Sequence, residues 1–314
     1  MLSACDLCPR HCKVSRMAND RGFCGATDES IKIARAALHF WEEPCISGTR
    51  GSGTVFFSYC SLKCVYCQNM DISRGLAGGD VDVVRLAEIM IELEKQGAHN
   101  INLVTPTHYV NQIVAALDIA KSRGMSLPVV YNTGGYELPS VIEKLRGYVD
   151  VFLTDYKYAN NADSMKYSAA SDYVENADAA LEKMVELAPL RFESNDDCGS
   201  NIGENMIMTG GVIVRHLLLP GKLVEAKNIL KRLYNKFGNK IYYSLMSQYT
   251  PMGITGKFDC ADENLNRKVT GQEYKRLIEY AGRLGIENAF VQEGAAASES
   301  FIPPFDLTGV YKSN

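Results

Sequence analysis

From residue 53 onward the chain alternates short apolar runs with longer stretches of helical period. The runs at 54–59, 100–104, 128–131, 149–154, 211–219, 240–246 and 288–292 are short, β-branched and apolar, as strands buried on both faces tend to be. Between them, apolar residues recur at three- and four-residue steps. In 82–95 they are Val83, Leu86, Ala87, Met90 and Leu93, and in 109–122 Val110, Ile113, Val114 and Leu117. In 222–237 they are Ala226, Leu230, Leu233 and Phe237, and in 271–284 Tyr274, Leu277, Ile278, Ala281 and Leu284. Thr270-Gly-Gln-Glu273 has the form of a capping box at the head of the last helix. Repeated β–α units predict a parallel sheet with right-handed crossovers. About six of them predict an α/β fold closed into a barrel or partial barrel.

Three stretches fall outside this alternation. Residues 30–50 offer apolar surface at Ile31-Lys-Ile33 and at Ala36 to Trp41, and the only tryptophan, Trp41, is expected to anchor this extension. Residues 189–210 are polar and without period, so they read as a long loop before a strand, on the side of the barrel away from the strand C-termini. The tail from Gly294 follows the last strand at the opposite rim, where it either covers the cleft or ends loosely. The expected division is 1–50 for a Cys-rich module and connector, 51–293 for the barrel and 294–314 for the tail.

Composition narrows the class. The chain has 314 residues, of which 46% are hydrophobic, ample for a sizeable core. A net charge of −4 gives no general electrostatic reason to bind nucleic acid or an anionic membrane. No apolar run approaches the length of a membrane span. Met1-Leu-Ser-Ala-Cys5-Asp-Leu-Cys8 lacks the basic start and apolar core of a signal peptide. Seven of the ten cysteines fall into two tight groups, which points to metal in a reducing, cytoplasmic compartment rather than to disulfides. Cys45, Cys198 and Cys260 stand alone and read as ordinary small residues.

The first group, Cys5, Cys8, Cys12 and Cys24, has the spacing C-x2-C-x3-C-x11-C. Pro9, Gly22 and Gly25 suit the turns of a metal knuckle. Four thiolates close a tetrahedral zinc site or carry a second Fe–S cluster, and spacing alone does not separate these from uncommitted thiols. The second group, Cys60-Ser-Leu-Lys-Cys64-Val-Tyr-Cys67, lies on a loop leaving a strand. Three thiolates there hold three corners of an iron–sulfur cube and leave one iron open. A zinc site with His11, His39 or His108 as fourth ligand is the alternative.

C-x3-C-x2-C with Tyr66 before the third cysteine resembles the signature of the radical S-adenosylmethionine (SAM) superfamily. Gln68-Asn69 makes the stretch similar to the pyruvate formate-lyase activating enzyme branch and its uncharacterised relatives, some of which carry similar N-terminal cysteine groups. The resemblance covers roughly residues 51–293. It implies a partial (β/α)6 TIM-like barrel with a cleft at the C-terminal strand ends. It further implies a [4Fe–4S] cluster on Cys60, Cys64 and Cys67 whose open iron chelates SAM. One-electron cleavage of SAM then gives methionine and a 5′-deoxyadenosyl radical that abstracts hydrogen from the substrate. Tyr66 and Asn69 fall within the implied cofactor site.

The same resemblance extends to the strand ends. Asn132-Thr133-Gly134 is similar to the Asp-Thr-Asn segment that lines the activase cleft, though it also reads as a glycine turn. Asp155-Tyr-Lys157 resembles the activase Asp-Leu-Lys segment, which implies Asp155 on the ribose hydroxyls and Lys157 on the methionyl carboxylate. Strand alternation places these two on one face. Thr105-Pro-Thr107-His108 stands where the superfamily commonly has Gly-Gly-Glu, so threonine hydroxyls or backbone carbonyls would take the SAM ammonium, with His108 as a hydrogen donor, a substrate contact or a plain helix cap. Arg215-His216 resembles the activase Arg-Tyr; neighbours on a strand face opposite ways, so only one points inside, where it needs an anion or a structural partner. Gln248-Tyr249 ends the sixth strand facing the expected cleft.

The expected activity is therefore a radical SAM oxidoreductase, served by a flavodoxin- or ferredoxin-type electron donor. The activase resemblance implies a glycyl radical enzyme as partner, with other proteins, peptides, small molecules or RNA open, the acidic pI counting modestly against RNA. The competing readings are a non-catalytic Fe–S or zinc protein acting as electron carrier or scaffold, and a zinc hydrolase.

Overall fold

The computed structural model describes residues 4–194, 206–251, 262–292 and 302–312. In chain order its strands are β1 (Ile31–His39), β2 (Ser52–Phe57), β3 (Gly79–Val81), β4 (Ile101–Val104), β5 (Val129–Thr133), β6 (Val151–Asp155), β7 (Arg191–Ser194), β8 (Met206–Leu217), β9 (Tyr242–Met246) and β10 (Ala289–Val291). The α-helices are α1 (Pro44–Ser47), α2 (Met70–Ser73), α3 (Val83–Lys95), α4 (Val110–Ser122), α5 (Pro139–Glu143), α6 (Asn161–Ser168), α7 (Tyr173–Leu187), α8 (Leu223–Phe237) and α9 (Gly271–Leu284).

The strands follow the order β10-β9-β8-β6-β5-β4-β2-β1-β3, with β7 paired to the start of β8. From β2 to β10 the main path is parallel. The fold is a mixed α/β partial barrel that does not close among the described residues. Every residue of β2 and β5 is buried, as in strands covered on both faces. The periodic stretches form α3, α4, α8 and α9 and turn their expected faces inward; Leu86, Met90 and Leu93 of α3 and Leu230 and Leu233 of α8 are buried.

Several elements escaped the sequence pattern. β1, within the expected connector, is alanine-rich and has weak intrinsic strand preference. It forms through antiparallel pairing with β2 on one side and β3 on the other. β7 occupies the start of the supposed 189–210 loop and pairs antiparallel with β8; residues 195–205, with Cys198, lie outside the described residues, as does Cys260. Trp41 is not a buried anchor: it is 62% exposed at the cleft mouth.

Of the tail, residues 294–301 lie outside the described part, and 302–312 run along β1. Ala36 N–H donates to Thr308 O at 2.8 Å and Leu307 N–H to Ala34 O at 3.0 Å. Val310 is fully buried, and Arg85 of α3 donates to its carbonyl at 3.0 Å. This strap covers the stretch of β1 beyond Ile31–Ile33, which β3 leaves unpaired, and carries Ile302 and Pro303 to the cleft.

The capping box at the head of α9 is present. The Thr270 hydroxyl accepts from Glu273 N–H at 3.2 Å, and the Glu273 carboxylate accepts from Thr270 N–H at 2.9 Å. Replacing Thr270 by alanine is expected to lower stability by about 1 kcal/mol, read from the midpoint of urea unfolding. An unchanged midpoint would mean that packing alone sets this helix.

Candidate active site

Each parallel strand from β2 to β9 delivers residues to one cleft at its C-terminal end. Tyr59, Cys60, Cys64, Tyr66, Cys67 and Asn69 come after β2, and Val104 and Thr105 from the end of β4. Asn132, Thr133 and Gly134 come from β5, Asp155 and Lys157 from β6, Arg215 and Leu217 from β8, and Met246 and Gln248 from β9. The cavity volume is about 280 Å³, close to the lower end of small-molecule pockets.

The thiol loop is shaped by left-handed backbone at Tyr59 (φ 77°) and Lys63 (φ 50°). Each sulfur has a hydrogen-bond donor nearby. Leu62 N–H donates to Cys60 Sγ at 3.4 Å, and the Ser168 hydroxyl to Cys64 Sγ at 3.0 Å. The Ser73 hydroxyl lies within reach of Cys67 and donates to Met70 O at 3.1 Å. Burial raises the Cys60 thiol and pushes that of Cys67 up to about 12; the donors and Lys157 oppose this. Ser73, Tyr158 and Ser168 were not legible as site residues, because they come from other helices and loops. Behind Cys64, Tyr66 shares a hydroxyl hydrogen bond with Tyr158 at 2.9 Å.

A charged network forms the opposite wall. Lys157 Nζ donates to Asp155 Oδ2 at 2.5 Å, and Arg215 Nε to Asp155 Oδ1 at 3.2 Å. Arg215 also donates to Glu42 Oε2 at 2.9 Å and to Asn132 Oδ1. Glu42 Oε1 accepts from Asn102 at 3.0 Å and from Asn132 at 3.3 Å. Burial drives the Asp155 carboxyl up, but the charges of Lys157 and Arg215 outweigh it and hold the group below its ordinary value. Burial likewise opposes the Lys157 ammonium, and the Asp155 charge more than restores it. Glu42 carried no motif, and its partner Arg215 is 173 residues away, so the sequence held no signal for it.

Several expected residues lie elsewhere. Of the pair on β8, Arg215 faces the cleft and His216 faces away, with its Nδ1 on Tyr156 O at 2.8 Å. Burial lowers His216 to about 4, so the ring is neutral. Tyr249 is buried and donates to Leu265 O at 2.7 Å. Thr107 is buried below the cleft, donating to Glu137 Oε1 at 2.5 Å. His108 is buried, with Nε2 on Ser58 O at 2.8 Å, and burial lowers it to about 3. It lines a second, smaller cavity together with Cys5, Cys8, Cys12 and Cys24.

His11 pairs with Asp6, whereas His39 lines the cleft. Among the described residues no three His, Cys, Asp or Glu side chains converge as around a single bound metal ion. A cube is held at separate irons, so its thiolates have no need to meet at one point. Three thiols, their donors and a cleft of this size fit a [4Fe–4S] cluster with SAM beside it.

Residues 54–189 match the model of the radical SAM superfamily, and this segment is a radical SAM domain. The uncharacterised protein MJ0674 of Methanocaldococcus jannaschii is 25% identical over 292 residues, covering 90% of this chain and 75% of its own. The crystal structure of Streptococcus suis SuiB bound to precursor peptide SuiA superposes with a TM-score of 0.48 at 12% identity; the match covers 76% of this chain and only 47% of that one. Among the described residues no helix is long and apolar enough to cross a membrane.

Glu137 closes the floor beneath Thr133, whose hydroxyl donates to it, and is fully buried. Burial raises its carboxyl from 4.5 to about 7, against the threonine donors. Between those two values the folded chain holds a proton that the unfolded chain releases, so stability falls as pH rises through the window. The full change is about 3 kcal/mol. Glu137→Gln is expected to flatten the pH dependence of urea unfolding over this range; an equal slope in both proteins would refute the assignment.

Proposed function

We propose that this chain is a radical SAM enzyme whose cleft binds a [4Fe–4S] cluster through Cys60, Cys64 and Cys67. The observation that carries the reading is the meeting of those three thiols, each with a donor nearby, and the Asp155–Lys157 pair in one cleft at the strand ends. The cluster supplies the electron that splits SAM into methionine and a 5′-deoxyadenosyl radical, which then takes a hydrogen atom from the substrate.

The protein's own groups do the positioning. The Lys157 ammonium holds a ligand carboxylate, and Asp155, an acceptor with two oxygens, takes hydroxyl donors. The Thr133 hydroxyl proton is given to Glu137, so its oxygen offers lone pairs to a donor in the cleft. Thr105 and Asn132 add polar contacts, while Phe56, Phe57 and Leu62 supply apolar wall that excludes water. Arg215 acts on Asp155 rather than on the ligand, since Glu42, Asn132 and Asp155 already occupy it.

The activase resemblance, and the exposed Trp41 ring on the cleft lining, favour a polypeptide substrate such as the glycyl radical loop of a partner protein. A flavodoxin- or ferredoxin-type donor provides the electron, and the N-terminal thiols are open to a second metal.

The test is formation of 5′-deoxyadenosine from SAM by anaerobically reconstituted, dithionite-reduced protein. Wild type should form it and Cys64→Ala should not. Lys157→Ala should keep its cluster colour and bind SAM about tenfold more weakly, the loss of one charge-assisted hydrogen bond. A brown, iron- and sulfide-replete wild type that forms no product with or without candidate peptides would instead support an electron carrier.

A further inference from the structure

Cys5, Cys8 and Cys12 lie close together in sequence, Cys24 follows twelve residues after Cys12, and all four line one small cavity. Arg10, Arg16, Gly22 and His108 line it with them. The backbone is bent to permit this. His11 and Lys13, on either side of Cys12, take left-handed φ values of 44° and 55°. Gly22 lies so close that a Cβ there would come within 2.9 Å of Cys12 Cβ and Sγ. Such strain without a bulky side chain to bury needs another source of stabilisation.

The loops also direct N–H groups at the sulfurs. Phe23 N–H donates to Cys12 Sγ at 3.3 Å. Burial raises the thiols of Cys8 and Cys24, and the backbone N–H groups of Arg10 and Ala26 oppose it. N–H donors on sulfur favour thiolate, the form that ligates metal. His108 lines the same cavity without being one of the four thiolate ligands. Its Nε2 is taken by Ser58 O, while its Nδ1 is buried with no hydrogen-bond partner on a ring that lines the cavity. A buried acceptor of this kind is normally satisfied.

We propose that this cavity is a second metal centre, a four-thiolate site for a thiophilic metal held by Cys5, Cys8, Cys12 and Cys24, and that it buttresses the loop carrying the cleft thiols. The sulfurs surround the cavity without yet closing on one point. Binding therefore draws them in, and each ligating thiol gives its proton to solvent. The mechanical link is Arg10, which stands between Cys8 and Cys12. It donates to Ser61 O at 2.9 Å, inside the cleft loop, and to Ser168 O at 2.7 Å, the residue whose hydroxyl meets Cys64. Arg21 donates to Tyr59 OH at 3.0 Å, and His108 binds the carbonyl of Ser58, two residues before Cys60.

The proposal rests on the radical SAM reading only for what is buttressed, and metal can be counted without SAM chemistry. The full chain with C60A, C64A and C67A together, purified anaerobically, is assayed for zinc, iron and sulfide. The expected result is about one zinc ion, or iron with sulfide, per chain, lost when C8S and C12S are added. A folded triple variant carrying neither metal overturns the site. Should the triple variant fail to fold, X-ray absorption of wild type decides: sulfur-only zinc, or iron above the about four atoms of one cube, supports the site, and the lack of both overturns it. With the cleft thiols intact, C8S is expected to reduce iron retained at the cleft several-fold. Equal retention would overturn the buttress.

Discussion

The guanidinium of Arg215 is the constraint on which the cleft depends. It sits inside an incomplete barrel, and its N–H donors must be met there. Glu42 from the connector, Asn132 from β5 and Asp155 from β6 meet them. Removing one charged partner from a buried pair of this kind destabilises by about 3–5 kcal/mol, because the remaining charge stays buried. The network thus binds the connector to two strands of the sheet. It also aims Asp155: with one oxygen on Arg215, the other is left to Lys157 at the cleft surface. Strand alternation then dictates that His216 points outward.

Most of the barrel was legible because parallel strands and their covering helices follow strong periodicities. The seven apolar runs became β2, β4, β5, β6, β8, β9 and β10, and the four amphipathic stretches became α3, α4, α8 and α9. Elements held by partners rather than by their own pattern were not legible. β1 exists through its two neighbours, and β7 through the bulged start of β8. α7 also went unread, although its Tyr173 packs against Tyr158 at 5.1 Å behind the thiol loop.

The site divides in the same way. Contiguous motifs, the thiol triplet and Asp155-Tyr-Lys157, could be read directly because local spacing fixes their geometry. Glu42, Ser73, Glu137 and Ser168 contribute through contacts of long range in sequence or through burial, and a single sequence carries neither. Trp41 shows the reverse failure. A lone tryptophan near a cysteine module reads as a core anchor, yet the ring lies at the mouth of the cleft, where an aromatic can meet a ligand instead of filling a core.

The charge balance of the wall bears on what can enter. Glu42 and Asp155 oppose Arg215 and Lys157, so the four groups are neutral together. Burial raises the carboxyl of adjacent Glu43, against the pull of Arg215. The two pairs differ in exposure. Glu42 is 8% exposed in its side chain and Arg215 16%, whereas Lys157 and Asp155 are 20% and 21% exposed. Exchange of partners with an arriving ligand is therefore easier at Lys157 and Asp155. A ligand bearing both a carboxylate and hydroxyl or ammonium donors replaces that ion pair charge for charge, leaving no buried group unpaired. A simple anion would satisfy Lys157 and strand Asp155 on Arg215 alone. A ligand with both kinds of group suits this wall, and on the proposed reading the amino-acid and ribose parts of SAM would provide them.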